Sequence, residues 1–255
     1  MNVENGDIKR LIKLNTLRKI DKQKIICESI KVVKKLIQYN PDEIFELHTN
    51  EEIYHIFKNT LPHHCKVYIY TNENLAKSKG FKFHQKVIAI AKKPSLKPLS
   101  ELGPKIIILN GLTSPENIGS IIRSAVGFGF NSLIYDHKTA DPYLRRIIRV
   151  SMGNIFNIKI HKSDDLEKTM TVLKENYEIL ATCANTKESI NINHFNFSNN
   201  VGLIIGSEGH GIDKEIIKSS NHVIKIPIDD NVAHFNASIA ASICMYEIAR
   251  QSILN

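Results

Sequence analysis

The sequence predicts two α/β domains in tandem: a small basic α/β/α domain over residues 1–98 and a larger one over residues 99–255, built on a mostly parallel sheet. Three observations lead there. Strand-like and helix-like segments alternate along the whole chain at the spacing of βα units. Beyond residue 105 the apolar runs are short and continuous rather than alternating, the pattern of strands buried on both faces. Between the two parts lies KKPSLKPLSELGP (92–104), whose prolines at 94, 98 and 104 and glycine at 103 mark a linker.

In the first domain, residues 7–20 (DIKRLIKLNTLRKI) put Ile8, Leu11, Ile12, Leu14 and Leu17 on one side. Lys9, Arg10, Lys13, Arg18 and Lys19 surround them, as in a basic amphipathic helix. KIICES (24–29) then reads as a strand, SIKVVKKLIQYN (29–40) as a helix, EIFELH (43–48) as a strand and NEEIYHIFKNT (50–60) as a helix. KVYIY (66–70), a short helix from Asn72 and KVIAIA (86–91) complete the domain.

In the second domain, strands are expected at 106–109, 132–135, 158–160, 179–181, 201–205 and 223–226, with helices between most of them. Three loops at strand carboxyl ends, where open α/β sheets hold ligands, carry most of the polar and glycine residues. In LNGLTSPENIGSIIRSAVGFGF (109–130), a turn with Pro115 is followed by Asn117 and Gly119 opening a helix that carries Arg123. An Arg bounded by Ile121, Ile122, Ala125 and Val126 needs an anion or solvent; an ion pair at the surface or at a dimer interface meets that need as well as a functional role does.

The second loop, LIIGSEGHGI (203–212), brackets Glu208 with Gly206, Gly209 and Gly211, which permit close backbone approach to a ligand. It is neither a GxGxxG fingerprint nor a P-loop. The third is IPIDDNVAHFNASIAASICMYEIARQ (226–251), which carries no formal charge between Asp230 and Glu247. As a helix entered near Asn236 it offers only small side chains in its first turns, and Ile239, Ile243 and Tyr246 form a stripe to bury.

Charge is divided unevenly. Residues 1–100 hold 19 Lys and Arg against 10 Asp and Glu, whereas the remainder holds 15 against 16, so the entire excess of the net +8 lies in the first part. Such asymmetry is the footprint of a segment that meets polyanions, although Lys-rich helices are also simply solvated. Four well-separated cysteines without a CxxC pair suggest reduced thiols rather than a disulfide framework or a zinc site. With no apolar run of membrane-spanning length and no signal-peptide pattern at the N-terminus, the expectation is a soluble cytoplasmic protein with no membrane partner.

The ordered set PENIGSIIRSA, GSEGHGI and IPIDDNVAHFNASIAASICMYEIARQ resembles the three motifs of the SpoU/TrmH family of RNA ribose 2′-O-methyltransferases, in the SPOUT superfamily. VSMGNIF (150–156) is similar to a family segment before the third strand of that domain. QKIICESIKVVKKLI and FHQKVIAIA look like the ends of the family's substrate-binding N-terminal domain, related to RNA-binding ribosomal proteins. The resemblance implies a trefoil-knotted domain, S-adenosyl-L-methionine as cofactor, homodimerisation through the C-terminal domain and an RNA partner, ribosomal RNA ahead of transfer RNA, with no role for DNA. By motif position it makes Asn117, Arg123, Glu208 and Asn236 the catalytic-site residues. Gly206, Ile226, Phe235 and Ser238 fall on cofactor-binding positions, and no metal is required.

The chain departs from the family at several points. HFNAS replaces the usual SLNVS, putting His234 and Phe235 where Ser and Leu are common; Asp229 and Asp230 stand where a small residue and Gly are usual, and Ser29 and Lys86 replace glycines. His234 is a candidate substitute for the missing Ser as proton acceptor, the imidazole being the side chain that titrates near neutrality, or else a structural histidine. A transfer-RNA enzyme, or a catalytically silent RNA-binding or ribosome-assembly protein on the same scaffold, are the alternative expectations.

Overall fold

The structure, a computed structural model, describes residues 2–16, 23–77, 87–183 and 189–254. Two compact units form: Met1–Ser95 with Pro142–Asn157, and Leu96–Asp141 with Ile158–Asn255.

The first unit begins with β1 (Asn2–Asn5) and α1 (Ile8–Thr16), followed by β2 (Lys24–Glu28), α2 (Ile30–Tyr39), β3 (Ile44–Thr49) and α3 (Glu51–Phe57). β4 (Lys66–Ile69), α4 (Asn72–Lys77) and β5 (Val87–Lys92) follow. Its sheet runs in the order β1-β4-β3-β5-β2, with β5 antiparallel to both neighbours and the remaining pairs parallel. The segments expected over residues 24–77 are all present. β1 was not expected, because NVEN has no alternating pattern and all four residues are exposed; it exists only by pairing with β4. Residues 17–20, with Arg18 and Lys19, and Lys86 lie outside the described residues.

Side-chain caps set the helix starts. Ser29 Oγ accepts from Val32 N at 3.4 Å, and Asn50 Oδ1 accepts from Ile53 N at 3.0 Å. Ser29 does so at φ +83° and ψ 148°, a region that is nearly glycine's alone. Leu11, Ile26, Tyr68, Tyr70, Leu75 and Ile88 form a core cluster. Against it His48, fully buried, meets Tyr70 Oη at 2.9 Å through Nδ1 and Glu46 at 3.0 Å through Nε2. Arg10 is held by the Glu46 carboxylate at 2.7 Å and lies 4.4 Å over the Tyr68 ring, so this basic residue is engaged within the unit.

In the second unit, β6 (Lys105–Asn110), α5 (Pro115–Gly127) and β7 (Ser132–Tyr135) come first. The chain then crosses to the first unit, where α6 (Arg145–Val150) packs on β2. There Arg145 and Arg149 pair with buried Glu28, and Gly153, at φ +76°, leaves a Cβ position only 3.1 Å from the Val32 Cα. Returning, it forms β8 (Lys159–Lys162), α7 (Leu166–Leu173), β9 (Glu178–Thr182), β10 (Ile190–Asn191), β11 (Val201–Gly206), α8 (Lys214–Ser219), β12 (His222–Lys225) and α9 (Ala237–Leu254).

All pairs of the seven-stranded sheet, ordered β10-β12-β9-β11-β6-β7-β8, are parallel. Apart from the half-buried Lys105 that opens β6, every residue of β6 and β7 is buried, as continuous apolar runs require. In a parallel sheet every carboxyl end faces the same edge. Gly206, the last residue of β11, stands in register with Asn110, the last of β6, so the loops that follow these strands leave side by side.

Two expectations about helices are corrected. Pro115 is the first residue of α5 rather than part of a preceding turn: Ser114 caps the helix, and proline's missing N–H costs nothing at that position. On α9 the buried residues are Ala237, Ala241, Cys244, Met245 and Ile248, not the stripe of Ile239, Ile243 and Tyr246. Ile239 and Tyr246 are 51% and 54% exposed. Small side chains at 237 and 241 let that face lie close to the sheet at β11, whereas Ser242 and Tyr246 meet α5 and its end, Ser242 Oγ donating to Ser124 Oγ at 2.8 Å.

Candidate functional site

A cleft of about 640 Å³ opens where β9, β11 and β12 end, within the size range of small-molecule sites. The loop after β11 supplies Gly206, Ser207, Glu208 and Gly209, and the loop before α9 supplies Ile226, Ile228, His234, Phe235 and Asn236. Gly206 has no room for a side chain: a Cβ there would lie 2.2 Å from the carbonyl carbon of Gly211. That closeness comes from the turn itself, in which Ser207 and Gly211 exchange backbone hydrogen bonds of 3.0 and 2.9 Å. The turn presents Glu208, exposed, at the cleft.

Three of the four expected catalytic residues come together. Asn117, buried in the first turn of α5, donates from Nδ2 to Glu208 Oε1. Its Oδ1 accepts from Asn236 Nδ2 at 3.0 Å, while Asn236 Oδ1 accepts from the Ser238 amide at 2.9 Å and from its hydroxyl at 2.7 Å. A hydrogen-bonded chain thus runs from α9 through α5 to the Gly-rich loop, joining residues 119 and 91 positions apart. Arg123 stands apart. It is exposed on α5, with Ile121, Ile122 and Ala125 buried around it, and its side chain has no hydrogen bond or ion pair among the described residues.

Of the expected cofactor positions, Gly206, Ile226 and Phe235 line the cleft, whereas Ser238 serves the Asn236 side chain. His234 also lines it. Cys244 lines its floor, and burial pushes that thiol up to about 12, so it serves as an apolar wall rather than a nucleophile. No cluster of three or more His, Cys, Asp or Glu suited to a metal occurs among the described residues.

A network that the sequence did not disclose lies behind these loops. Asp136, just past β7 and 3% exposed, accepts from Asn110 Nδ2, Gly111 N, Thr139 N and Thr139 Oγ1. The only signal in the sequence was its place at a strand's carboxyl end.

These geometries coincide with a family pattern. The SpoU rRNA Methylase family profile matches residues 104–246, more than half of the chain. The chain belongs to the SpoU rRNA methylase family. The match covers Asn117, Arg123, Glu208 and Asn236 together with the whole cleft lining.

Among relatives of this SpoU protein, one from Staphylococcus epidermidis, assigned to the TrmH family of tRNA/rRNA methyltransferases, is 34% identical over 147 residues. That match spans 57% of this chain and 58% of the relative, so the chain covers little more than half of the relative's length. Among solved structures, the AdoMet-bound rRNA methyltransferase of Sinorhizobium meliloti has a TM-score of 0.83 at 20% identity, covering 100% of this chain and 99% of that one. An RNA 2′-O ribose methyltransferase has a TM-score of 0.78 at 21% identity, covering 99% of each chain. At such identities the likeness is one of fold.

Proposed function

We propose that this protein transfers a methyl group from S-adenosyl-L-methionine to a ribose 2′-hydroxyl of structured RNA, ribosomal RNA ahead of transfer RNA. The observation that carries this reading is the hydrogen-bonded chain Asn236–Asn117–Glu208 at the rim of a cleft built from two Gly-rich or small-residue loops. The cleft fits the cofactor. Its apolar side chains, Ile226, Ile228 and Phe235, suit the faces of an adenosine, and the absence of a side chain at Gly206 leaves the loop backbone open to close approach. When bound, the cofactor supplies a methyl group on a cationic sulfur.

The chain's own task is alignment and charge control, because the ribose oxygen must lose its proton while it attacks in line. Asn117, fixed between Asn236 and Glu208, holds the Glu208 carboxylate in one orientation at the cleft. Arg123, exposed and without an ion pair among the described residues, is available to an RNA phosphate or to the developing alkoxide. Since Arg stays protonated in proteins, it stabilises charge rather than accepting the proton. His234, lining the cleft, is the acceptor this chain offers in place of the family's usual Ser.

The remaining parts of the proposal follow from the same frame. Two copies associate through α5 and α9, whose outward face carries Ile239 and Tyr246, with Phe128 6.0 Å from the Tyr246 ring. The trefoil knot belongs to it too, supported by the small side chains at the start of α9, which suit a helix crossed closely by other backbone. The basic first unit meets RNA phosphates, with exposed Lys9 a leading contact, and the work is cytoplasmic.

The test is transfer of labelled methyl groups from S-adenosylmethionine to purified ribosomal or transfer RNA, paired with calorimetric titration of the cofactor. Arg123→Ala should retain cofactor binding and lose transfer; retained transfer refutes its role. A folded protein that binds no cofactor would instead support a silent RNA-binding scaffold, as HFNAS suggests.

A further inference from the structure

We propose that Asp136 is a positioning residue for this reaction, holding the loops that carry Asn117 and Glu208 in register; the inference rests on the methyltransfer reading above. Asp136 lies outside all three family-like motifs and does not line the cleft. Yet it is 3% exposed and forms no ion pair among the described residues: the nearby Lys138 ammonium, which feels its charge, is bonded instead to Asp213 Oδ2 at 2.8 Å. Burying a carboxylate away from water is costly unless donors surround it. Here both oxygens are occupied: Gly111 N reaches each at 3.1 Å, Asn110 Nδ2 reaches Oδ2 at 2.9 Å, and Thr139 N and Oγ1 reach Oδ1 at 2.8 and 2.6 Å.

These donors belong to the loop that leads into α5. Gly111 adopts φ +71°, Leu112 N donates to Thr139 Oγ1 at 3.2 Å, and Leu112 O accepts from Ala140 N at 2.9 Å, so the backbone from 110 to 112 is fixed to the segment after β7. Asn110 carries the connection onward. Its Nδ2 also reaches Asp213 Oδ2 at 3.0 Å, and its Oδ1 accepts from Asp213 N at 2.8 Å. Residue 213 closes the loop that displays Glu208, and Asn110 opens the one that leads to Asn117. Both partners of the Asn117–Glu208 hydrogen bond therefore depend on one frame, Asp136–Asn110–Asp213, and the frame is set by the acceptor at its centre.

Asp136→Asn keeps the shape but replaces one acceptor oxygen with an NH2 that faces donors. Gly111, Asn110 and Thr139 then compete for a single oxygen, and the loop relaxes. The consequence is a misplaced catalytic pair beside an intact cofactor cleft.

The experiment compares Asp136→Asn, Thr139→Val and Thr139→Ser in the full-length protein, using S-adenosylmethionine and ribosomal RNA. Single-turnover transfer, calorimetric cofactor affinity and amide hydrogen exchange over 109–117 and 207–213 are measured for each. For Asp136→Asn the expected result is a transfer rate lower by on the order of 10²-fold, an unchanged cofactor affinity, and faster exchange confined to the two loops. Thr139→Val should show a smaller version of the same split, and Thr139→Ser, which retains the hydroxyl, should restore the wild-type rate. An unchanged rate in Asp136→Asn overturns the proposal. So does a rate that falls in step with cofactor affinity and thermal stability across the series, since that is general loosening. If Asp136→Asn does not fold, the Val and Ser variants decide alone. If the wild-type protein transfers no methyl group, the functional reading falls, and the exchange data still show whether Asp136 holds the two loops or not.

Discussion

Alanine at Gly206 would place a Cβ 2.2 Å from the Gly211 carbonyl carbon, 2.4 Å from the Ile212 nitrogen and 2.5 Å from the Gly211 oxygen. All three are backbone atoms, so no side chain can swing away. To reach the 3.4 Å at which ordinary contact begins, the 207–212 segment must retreat by about 1 Å. The retreat breaks the two hydrogen bonds between Ser207 and Gly211, at about 1 kcal/mol each, and draws Glu208 away from Asn117. Because a 1 Å misplacement costs on the order of 10²-fold in rate, transfer should fall by about that factor. Cofactor affinity should fall as well, since the displaced loop is one wall of the cleft. Differential scanning calorimetry gives the stability loss, titration calorimetry the affinity and a methyl-transfer assay the rate. Wild-type cofactor affinity in Gly206→Ala would refute the claim that this turn shapes the binding cleft.

Three further outcomes are expected. Ser29→Gly should stabilise the first unit by about 1 kcal/mol, because the strain of a glycine-type conformation exceeds the loss of a weak cap and of chain stiffness; a lower melting temperature would contradict this. Acid should destabilise the same unit in two stages. Burial holds the His48 imidazole below its usual pKa, so its contribution is present above about 6.5 and is lost as pH falls through the lower folded value; hydrogen bonding from His48 and then from Arg10 holds the Glu46 carboxyl at about 2, so its share is lost only in stronger acid. His48→Gln should abolish the first stage of a melting-versus-pH curve, and an unchanged curve would count against the assignment. If the proposed dimer forms through α5 and α9, the wild type should sediment as a dimer in analytical ultracentrifugation, and Ile239→Asp combined with Tyr246→Asp as a monomer with an unchanged helical circular-dichroism signal; a monomeric wild type would refute the dimer, and a persistent dimer would place the interface elsewhere.

The sequence made much of this legible, for reasons that differ by element. Strands of the parallel sheet were readable because burial on both faces leaves continuous apolar runs such as Ile106, Ile107, Ile108 and Leu109. The loops carrying Asn117, Glu208 and Asn236 were readable because strand carboxyl ends in such a sheet face one edge. The buried face of α9 was not, because Ile239 and Tyr246 outweigh Ala237 and Ala241 in any hydrophobicity count, while it is the small side chains that the fold turns inward. β1 escaped notice because its pairing partner, not its composition, makes it a strand. The frame around Asp136 was hidden for a similar reason. Its donors are backbone amides and short polar side chains brought together by register, and no spacing rule marks them.

The central claim is tested most directly by mass spectrometry of ribose-methylated nucleosides in ribosomal and transfer RNA from cells with and without the gene. The account predicts the loss of one 2′-O-methylated nucleotide from ribosomal RNA in the deletion strain, restored by the wild-type gene and not by Arg123→Ala. Identical ribose-methylation profiles in both RNA classes, from strains in which the wild-type protein is demonstrably expressed, would contradict it.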